Sequence, residues 1–229
     1  MKYAWVIFDA DNTLWDIEFL YIDARNKLCL FLQERGCSYE EVNEYQRKRD
    51  KELFKIYNYS ACRFARSFED TVIKYLGIDC EDEIIHMRSV ALQVFELEPK
   101  YTDNLEKIFD KLKDKYQIAL ITAGEKWVQD KRVDAFHLKH DLSVIEVVEK
   151  KSKEVFDKFI KKYSVDKSVS WVVGDSINSD VKPGIESGLN TIWYDNTNWA
   201  ENENHINKEI IVSGYKKVSK LEDILGIIL

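Results

Sequence analysis

The first fourteen residues restrict the possible fold of this chain more than any other stretch. Residues 3–8 form a short apolar run rich in aromatic and β-branched side chains, and a polar, turn-prone segment, residues 9–14, follows directly. This pattern predicts a buried β-strand. Asp9 and Asp11 then lie at its carboxyl end, which is where open α/β sheets bind their ligands. Because acidic side chains are costly there unless they hold a cation or do chemistry, we expect a functional site at this edge.

The composition is typical of a globular protein and argues against some classes of partner. Of the 229 residues, 45% are hydrophobic and 33% are charged. A chain of this length is enough for one domain with an insertion. The net charge is −7, with lysine and glutamate interspersed, so we expect neither nucleic acid nor an anionic membrane as the main partner. No apolar run approaches the ~20 residues of a membrane span, and no secretory signal is evident, which predicts a cytoplasmic protein. The sequence leaves the oligomeric state open.

Four cysteines fall in one segment of the chain without C-x-x-C spacing: Cys29, Cys37, Cys62 and Cys80. Their even number allows two disulfides. A chain of this size without a secretory signal more often keeps its thiols reduced, so we expect free cysteines.

Residues 15–98 differ from the rest of the chain because they contain no proline and no strand-like run. Their apolar residues recur at helical spacing, starting with a helix that Gly36 is placed to end. Ser38 followed by Glu41 is a capping-box pattern that would begin the next helix. Further helices are predicted over residues 64–76 and 82–95. We therefore expect an all-helical insertion after the first strand.

After Pro99 the pattern changes to alternating strands and helices. A helix is predicted over residues 102–115, with Thr102 as its N-cap. Further strands are predicted at residues 117–121, 143–148, 169–173, 191–194 and 210–212, and further helices at residues 125–137, 151–163, 180–187 and 221–229. The polar segment 199–207 is typical of a surface loop.

This alternation predicts an α/β fold with a doubly wound, Rossmann-like parallel sheet and helices on both faces. The predicted core domain consists of residues 1–14 and 99–229, and the predicted helical domain of residues 15–98. Polar residues follow two further strands of the core, since Thr122 ends the second strand and Asp175 ends the fourth. The carboxyl ends of parallel strands lie at one edge of a sheet, so these side chains are expected to meet the first two carboxylates in one cleft.

Four motifs, in order, resemble those of the haloacid dehalogenase-like (HAD) hydrolases. Residues 9–14 (DADNTL) resemble the first motif, and residues 120–124 (LITAG) resemble the second, in which Ser or Thr ends a strand. A lysine before the helix that begins near residues 154–156 resembles the third, and residues 174–180 (GDSINSD) resemble the fourth. Any one of these is a weak signal. Four in the family's order, each at a strand end or a helix start, form a strong one.

The resemblance implies a mechanism. Asp9 would be the nucleophile that forms an aspartyl-phosphate, and Asp11 would be the general acid and then the general base. Mg²⁺ would be held by the carboxylates of Asp9 and Asp175 and by the backbone carbonyl of Asp11, with water completing its coordination.

The resemblance also assigns the groups that would contact phosphate. Thr122 and the Ala123 N–H would hold the phosphoryl oxygens, and a lysine would neutralise charge on the nucleophile and the phosphoryl group. Spacing favours Lys151 for this role, with Lys150 next, although the proline that usually follows this lysine is absent. Asp180 would either cap the following helix or orient metal-bound water.

The acidic residue at position 11 favours one branch of the family. The resemblance implies that dehalogenases and phosphonate-cleaving relatives lack an acid there, whereas phosphatases and phosphomutases have one. We therefore expect a magnesium-dependent phosphomonoesterase that acts on a small phosphorylated metabolite. The alternatives are a β-phosphoglucomutase-like phosphomutase and a non-catalytic HAD-like binding module. In a purely structural interpretation, Asp9 and Asp11 are turn residues and Thr122 only caps a helix.

The position of the helical insertion resembles that of the family's cap, which closes over the site, excludes water and selects the substrate. Tyr57, Tyr59, Arg63 and Arg66 lie in a basic, aromatic part of this insertion and could contact a substrate. Packing or simple surface placement is the plainer interpretation for each of them.

Overall fold

The computed structural model describes residues 3–196 and 214–229 of the chain. The chain divides into two compact units. The first consists of Met1–Ile17 and Pro99–Leu229, and the second of Glu18–Glu98. The strand and the loop predicted between residues 199 and 212 fall outside the described residues, so both stay predictions.

Six strands of the first unit form one parallel sheet. In chain order, the strands of the molecule are β1 Trp5–Phe8, β2 Trp15–Asp16, β3 Lys100–Tyr101, β4 Gln117–Ala123, β5 Val144–Val148, β6 Trp171–Gly174, β7 Asn190–Tyr194 and β8 Lys216–Val218. The parallel sheet has the order β5-β4-β1-β6-β7-β8. The predicted Rossmann-like α/β core is confirmed. The sequence interpretation missed β8, because a three-residue edge strand that begins with two lysines has no apolar run.

The boundary between the two units lies after Ile17, three residues later than the sequence predicts. The predicted boundary after Leu14 is wrong because β2 pairs antiparallel with β3, with Trp15 opposite Tyr101. The chain therefore leaves and re-enters the first unit through a two-stranded ribbon.

The helices agree with the predicted alternation. In chain order they are α1 Glu18–Gln33, α2 Tyr39–Tyr57, α3 Ala61–Leu76, α4 Glu81–Gln93, α5 Leu105–Leu112, α6 Lys126–Ala135, α7 Lys153–Lys162, α8 Lys182–Glu186 and α9 Leu225–Ile228. A π-helical segment, Ile177–Val181, precedes α8, and a 3-10 segment, Leu221–Ile224, precedes α9. Thr102 is not the N-cap of α5. Its hydroxyl donates to the backbone oxygen of Thr13 at 2.8 Å, and Asn104 occupies the cap position instead.

Helices cover both faces of the parallel sheet, as the contacts of β1 indicate. Trp5 packs edge-on against Phe159 of α7, with 5.3 Å between ring centroids, whereas Phe8 stacks on Phe109 of α5 at 5.6 Å. Positions 5 and 8 of one strand point to opposite faces. Burial on both faces explains why β1 consists only of apolar residues.

The second unit contains helices α1 to α4 and no strand. Ser38 begins α2 as predicted, since its hydroxyl oxygen accepts a hydrogen bond from the Glu41 N–H at 3.3 Å. Of the two arginines singled out in the sequence, Arg63 forms an ion pair with Asp50, and Arg66 pairs with acidic residues of its own helix. Both guanidinium groups therefore have partners inside their own unit.

The four cysteines are free, as predicted. Cys29 is buried in α1, and burial raises the pKa of its thiol to about 11. Among the described residues, no helix is both long enough and apolar enough to cross a membrane.

Candidate active site

A tight loop after β1 holds the first two carboxylates. The Ala10 carbonyl accepts hydrogen bonds from the N–H groups of Thr13, Leu14 and Trp15, at 3.1, 2.8 and 3.2 Å. Asn12 takes the left-handed conformation, with φ of 61°, which asparagine tolerates better than most residues. The loop therefore turns the chain sharply just beyond the central strand of the sheet.

Asp9 lies at the end of β1, where its N–H donates to the Val173 carbonyl of β6 at 2.9 Å. The two oxygens of its buried carboxylate have different partners. Oδ1 contacts the Lys151 ammonium, and Oδ2 accepts a hydrogen bond from the Thr13 hydroxyl at 3.0 Å. The same hydroxyl accepts from the Asp175 N–H at 3.1 Å, so Thr13 links the ends of the two strands.

The lysine of the predicted third motif is Lys151 by position. Its side chain is 3% exposed, and its Nζ contacts Oδ1 of Asp9 and lies 2.6 Å from Oδ1 of Asp180. Lys150, the alternative that the sequence left open, is exposed. The structure therefore brings Lys151, and not Lys150, next to the first strand.

Asp180 reaches this cluster through the π-helical segment that follows β6. Ser176 caps that segment, and its N–H donates to Oδ2 of Asp180 at 3.1 Å. A Cβ atom on Gly174 would lie 2.3 Å from Cγ of Asp180, so only glycine at that position lets the carboxyl group come so close. Of the two predicted roles for Asp180, helix capping is wrong, because Val181 occupies the N-cap position of α8.

The carboxylates of Asp9, Asp175 and Asp180 form a buried cluster. One oxygen from each lies within 4.8 Å of the others. When all three are ionised, the ammonium of Lys151 balances only one of their charges. A hard divalent cation with oxygen ligands fits this donor set. The side chain of Asp11 is not a member of this cluster.

Burial and mutual repulsion shift the ionisation of this cluster. Burial, together with the charge of Asp180, raises the pKa of Asp9 to about 7, although Lys151 opposes the shift. Burial alone would lower the pKa of Lys151, but the charges of Asp180 and Asp9 raise it above its ordinary value. The lysine is therefore charged over the whole physiological range.

Thr122 is the penultimate residue of β4, and its hydroxyl is buried. Among the described residues, this hydroxyl has no hydrogen-bond partner, which is uncommon for a buried polar atom. The interpretation of Thr122 as a helix cap is wrong, because Glu125 occupies the N-cap position of α6. Ala123 is the last residue of β4, half-buried beside it.

The carboxylate of Asp11 is held by three side chains that the sequence interpretation did not single out. Trp15 Nε1 donates to Oδ1 at 2.7 Å, and Gln129 Nε2 donates to Oδ2 at 2.8 Å. Arg132 Nη1 lies 3.0 and 2.9 Å from Oδ1 and Oδ2. Gln129 and Arg132 are three residues apart on α6, a spacing that places them on one helix face and is the only signal of them in the sequence.

Comparison with known proteins identifies a family and a shared fold. A model of the haloacid dehalogenase-like hydrolases matches residues 3–188. A haloacid dehalogenase-like family hydrolase from Xanthomonas campestris is similar in structure, with a TM-score of 0.80 and 18% identity, over 98% of this chain and 90% of that chain. YfnB from Bacillus subtilis, solved bound to magnesium, has a TM-score of 0.71 and 19% identity, over 100% of this chain and 99% of that chain.

The similar structures also include a 2-haloacid dehalogenase, a HAD phosphatase and a protein of β-phosphoglucomutase type, so likeness of fold does not choose between these reactions. A search of curated protein sequences found no match. The family model nevertheless extends over most of the chain, through all four motifs that the sequence resembles. The chain therefore belongs to the haloacid dehalogenase-like hydrolases.

Proposed function

We propose that this protein is a magnesium-dependent phosphomonoesterase that forms an aspartyl-phosphate on Asp9. The observation that carries the proposal is the buried cluster of Asp9, Asp175 and Asp180. The single positive charge of Lys151 does not balance the negative charge of three carboxylates. Displacement of halide by a carboxylate has no need of such a cluster, whereas transfer of an anionic phosphoryl group requires positive charge at the site. Bound Mg²⁺ would supply that charge.

The contacts of Asp9 fit a nucleophile. One carboxylate oxygen attacks phosphorus, and the bond between phosphorus and the alcohol oxygen breaks. Lys151 on Oδ1 and Thr13 on Oδ2 hold the carboxylate in one orientation. The carboxylate therefore loses less conformational entropy when it attacks phosphorus. The hydroxyl of Thr122, which has no partner in the described part of the chain, is available to donate to a phosphoryl oxygen.

Asp11 completes the reaction as acid and then as base. Its carboxyl proton passes to the alcohol oxygen as the first phosphorus–oxygen bond breaks. In the second half-reaction the resulting carboxylate takes a proton from water, and the water oxygen attacks phosphorus. Inorganic phosphate leaves, Asp9 is a free carboxylate again, and Asp11 is protonated for the next cycle. A small phosphorylated metabolite is the proposed substrate, with the second unit as the cap that selects it.

Turnover of a defined panel tests this proposal. The panel contains 4-nitrophenyl phosphate, several sugar phosphates and 2-chloropropionate, each with Mg²⁺ or with EDTA. We expect inorganic phosphate from the esters only with Mg²⁺, and no chloride from the haloacid. Chloride release without metal would overturn the phosphatase proposal in favour of dehalogenation. Conversion of a sugar phosphate to its isomer without net phosphate release would identify a phosphomutase. Metal binding without any turnover would indicate a binding module.

Metal binding should be visible without catalysis. Addition of Mg²⁺ at about 100 times its dissociation constant is expected to stabilise the protein by about 2.7 kcal/mol, because the cation binds only the folded carboxylate cluster. Differential scanning fluorimetry with Mg²⁺ and with EDTA measures this as a rise in Tm. Asp175→Asn should lose the rise, while the control Asp134→Asn, an exposed residue of α6, should keep it. An unchanged rise in Asp175→Asn would remove Asp175 from the metal site.

A further inference from the structure

We propose that Arg132 is a positioning residue for Asp11. Together with Gln129 and Trp15, it fixes the carboxyl group from which the departing alcohol receives its proton. This inference rests on the proposed phosphomonoesterase function and assigns roles to residues outside the four motifs.

The polar contacts of Arg132 are directed to Asp11. Its side chain is only 4% exposed, and its Nη1 contacts both oxygens of the Asp11 carboxylate. Nε and Nη2 are buried and have no partner among the described residues. An arginine that served only to stabilise the scaffold would be expected to satisfy more of its five donors, because each buried unpaired N–H is costly. Its one polar contact in the described part of the chain is Asp11.

Gln129 connects Asp11 to the strand end that is proposed to bind phosphate. Its Nε2 donates to Oδ2 of Asp11 and lies 3.5 Å from the Ala123 carbonyl. A Cβ atom on Gly124 would come within 3.1 Å of the same Nε2, so the glycine at this turn leaves room for the amide. The distance from Asp11 to Thr122 and Ala123 is therefore set by side-chain contacts as well as by the backbone of the loop.

Trp15 fixes the other side of the carboxyl group. Its indole N–H donates to Oδ1, and its ring is fully buried and packs against Phe136 with 5.3 Å between centroids. Because the indole ring of Trp15 is packed on all sides, its N–H cannot follow a movement of the Asp11 carboxylate. With donors on both oxygens, Asp11 is held in one rotamer, while 21% of its side chain stays exposed for a substrate.

The role of an acid depends on the leaving group, and this dependence gives a specific test. An alkyl alcohol leaves poorly without a proton, whereas 4-nitrophenolate leaves well without one. Loss of general acid catalysis costs about 10² to 10⁴ in rate where the proton is needed. The quantity kcat/KM reports events up to release of the alcohol, so it is insensitive to the later hydrolysis of the aspartyl-phosphate.

The experiment compares kcat/KM for glycerol 2-phosphate and 4-nitrophenyl phosphate in the full-length protein with Mg²⁺. Arg132→Met is expected to lower the value for the alkyl ester about 100-fold and that for the aryl ester less than about 10-fold. Arg132→Lys should recover part of the loss on the alkyl ester. Lys126→Met is the matched control, since Lys126 lies on the same helix, is exposed and pairs with Asp130. It should leave the ratio of the two values unchanged.

Three outcomes are distinguishable. Equal losses on both esters in Arg132→Met would mean a merely structural role and would overturn this inference alone. If Arg132→Met does not fold, Gln129→Leu removes one donor to Asp11 and should change the ratio in the same direction. An unchanged ratio in that variant would also overturn the inference. A wild-type protein that hydrolyses neither ester would overturn the proposed function and this inference with it.

Discussion

Replacing Asp9 with asparagine is expected to lower phosphatase turnover by at least about 10⁴-fold, the scale of loss seen when a catalytic nucleophile is removed. The amide has no anionic oxygen to attack phosphorus, so no aspartyl-phosphate forms. The asparagine oxygen can still accept from Lys151, as Oδ1 of Asp9 does, whereas its NH2 group cannot accept from the Thr13 hydroxyl, so one of the two contacts of Asp9 is lost. The measurement is kcat with 4-nitrophenyl phosphate and Mg²⁺, together with the intact mass of protein quenched during turnover.

The control for this variant is Asp134→Asn. Asp134 is an exposed aspartate on α6 whose partner is the side chain of Lys139. The same chemical change there should leave kcat unchanged. The wild-type protein and the control should both carry one phosphoryl group when quenched, and Asp9→Asn should carry none. Retention of activity, or of the phosphoryl group, by Asp9→Asn would show that a different residue is the nucleophile.

The same substitution should also alter how stability depends on pH when no metal is bound. In the folded protein, burial and Asp180 raise the pKa of Asp9 to about 7 despite Lys151, against about 3.9 in an unfolded chain. The folded state then binds a proton more tightly than the unfolded state, so wild-type stability falls as pH rises from about 4 to about 7. Asparagine removes this contribution.

Urea unfolding in EDTA at about pH 4 and about pH 8 measures this effect. The midpoint of Asp9→Asn should rise relative to that of the wild type as pH increases between these values. Groups far from Asp9 titrate alike in both proteins and cancel in the comparison. A constant difference between the two midpoints would show that the ionisation of Asp9 does not oppose folding.

The sheet and its acidic edge could be predicted because their signals are local. The apolar run of β1 is continuous, since both faces of a central strand are covered. Asp9 and Asp175 directly follow β1 and β6, and Thr122 is the penultimate residue of β4. The rule that parallel strands share one carboxyl edge then brings together residues as distant as Asp9, Thr122 and Asp175. These three positions required no knowledge of side-chain packing.

The supporting residues could not be predicted in this way. Gln129 and Arg132 are polar residues in a helix with many charges, a pattern that ordinarily indicates a solvent-exposed face. Their burial depends on how α6 packs beside the loop after β1, which is a tertiary contact between residues more than 110 positions apart. The direction of Asp180 likewise depends on the π-helical segment and on the missing Cβ of Gly174. Neither the packing of α6 nor the direction of Asp180 produces a periodic pattern in the sequence.

Replacing Lys151 with methionine is expected to destabilise the protein and to abolish its phosphatase activity. The ammonium contacts both Asp9 and Asp180, and all three side chains are at least nine-tenths buried. Removal of one member of a buried ionic group leaves the remaining charge uncompensated, which typically costs about 3–5 kcal/mol. Urea unfolding in EDTA measures the loss of stability. The rate of hydrolysis of 4-nitrophenyl phosphate with Mg²⁺ measures the loss of function.

Lys150→Met is the matched control, because it makes the same change one residue earlier, at an exposed position. An exposed substitution of this kind usually changes stability by less than about 0.5 kcal/mol, and the activity should stay at the wild-type level. The comparison separates the two lysines that spacing alone left open. If Lys150→Met loses activity while Lys151→Met keeps it, the lysine that serves the phosphoryl group lies one residue earlier. The contact of Lys151 with Asp9 would then be structural, and neutralisation of the transferred phosphoryl group would fall to Lys150.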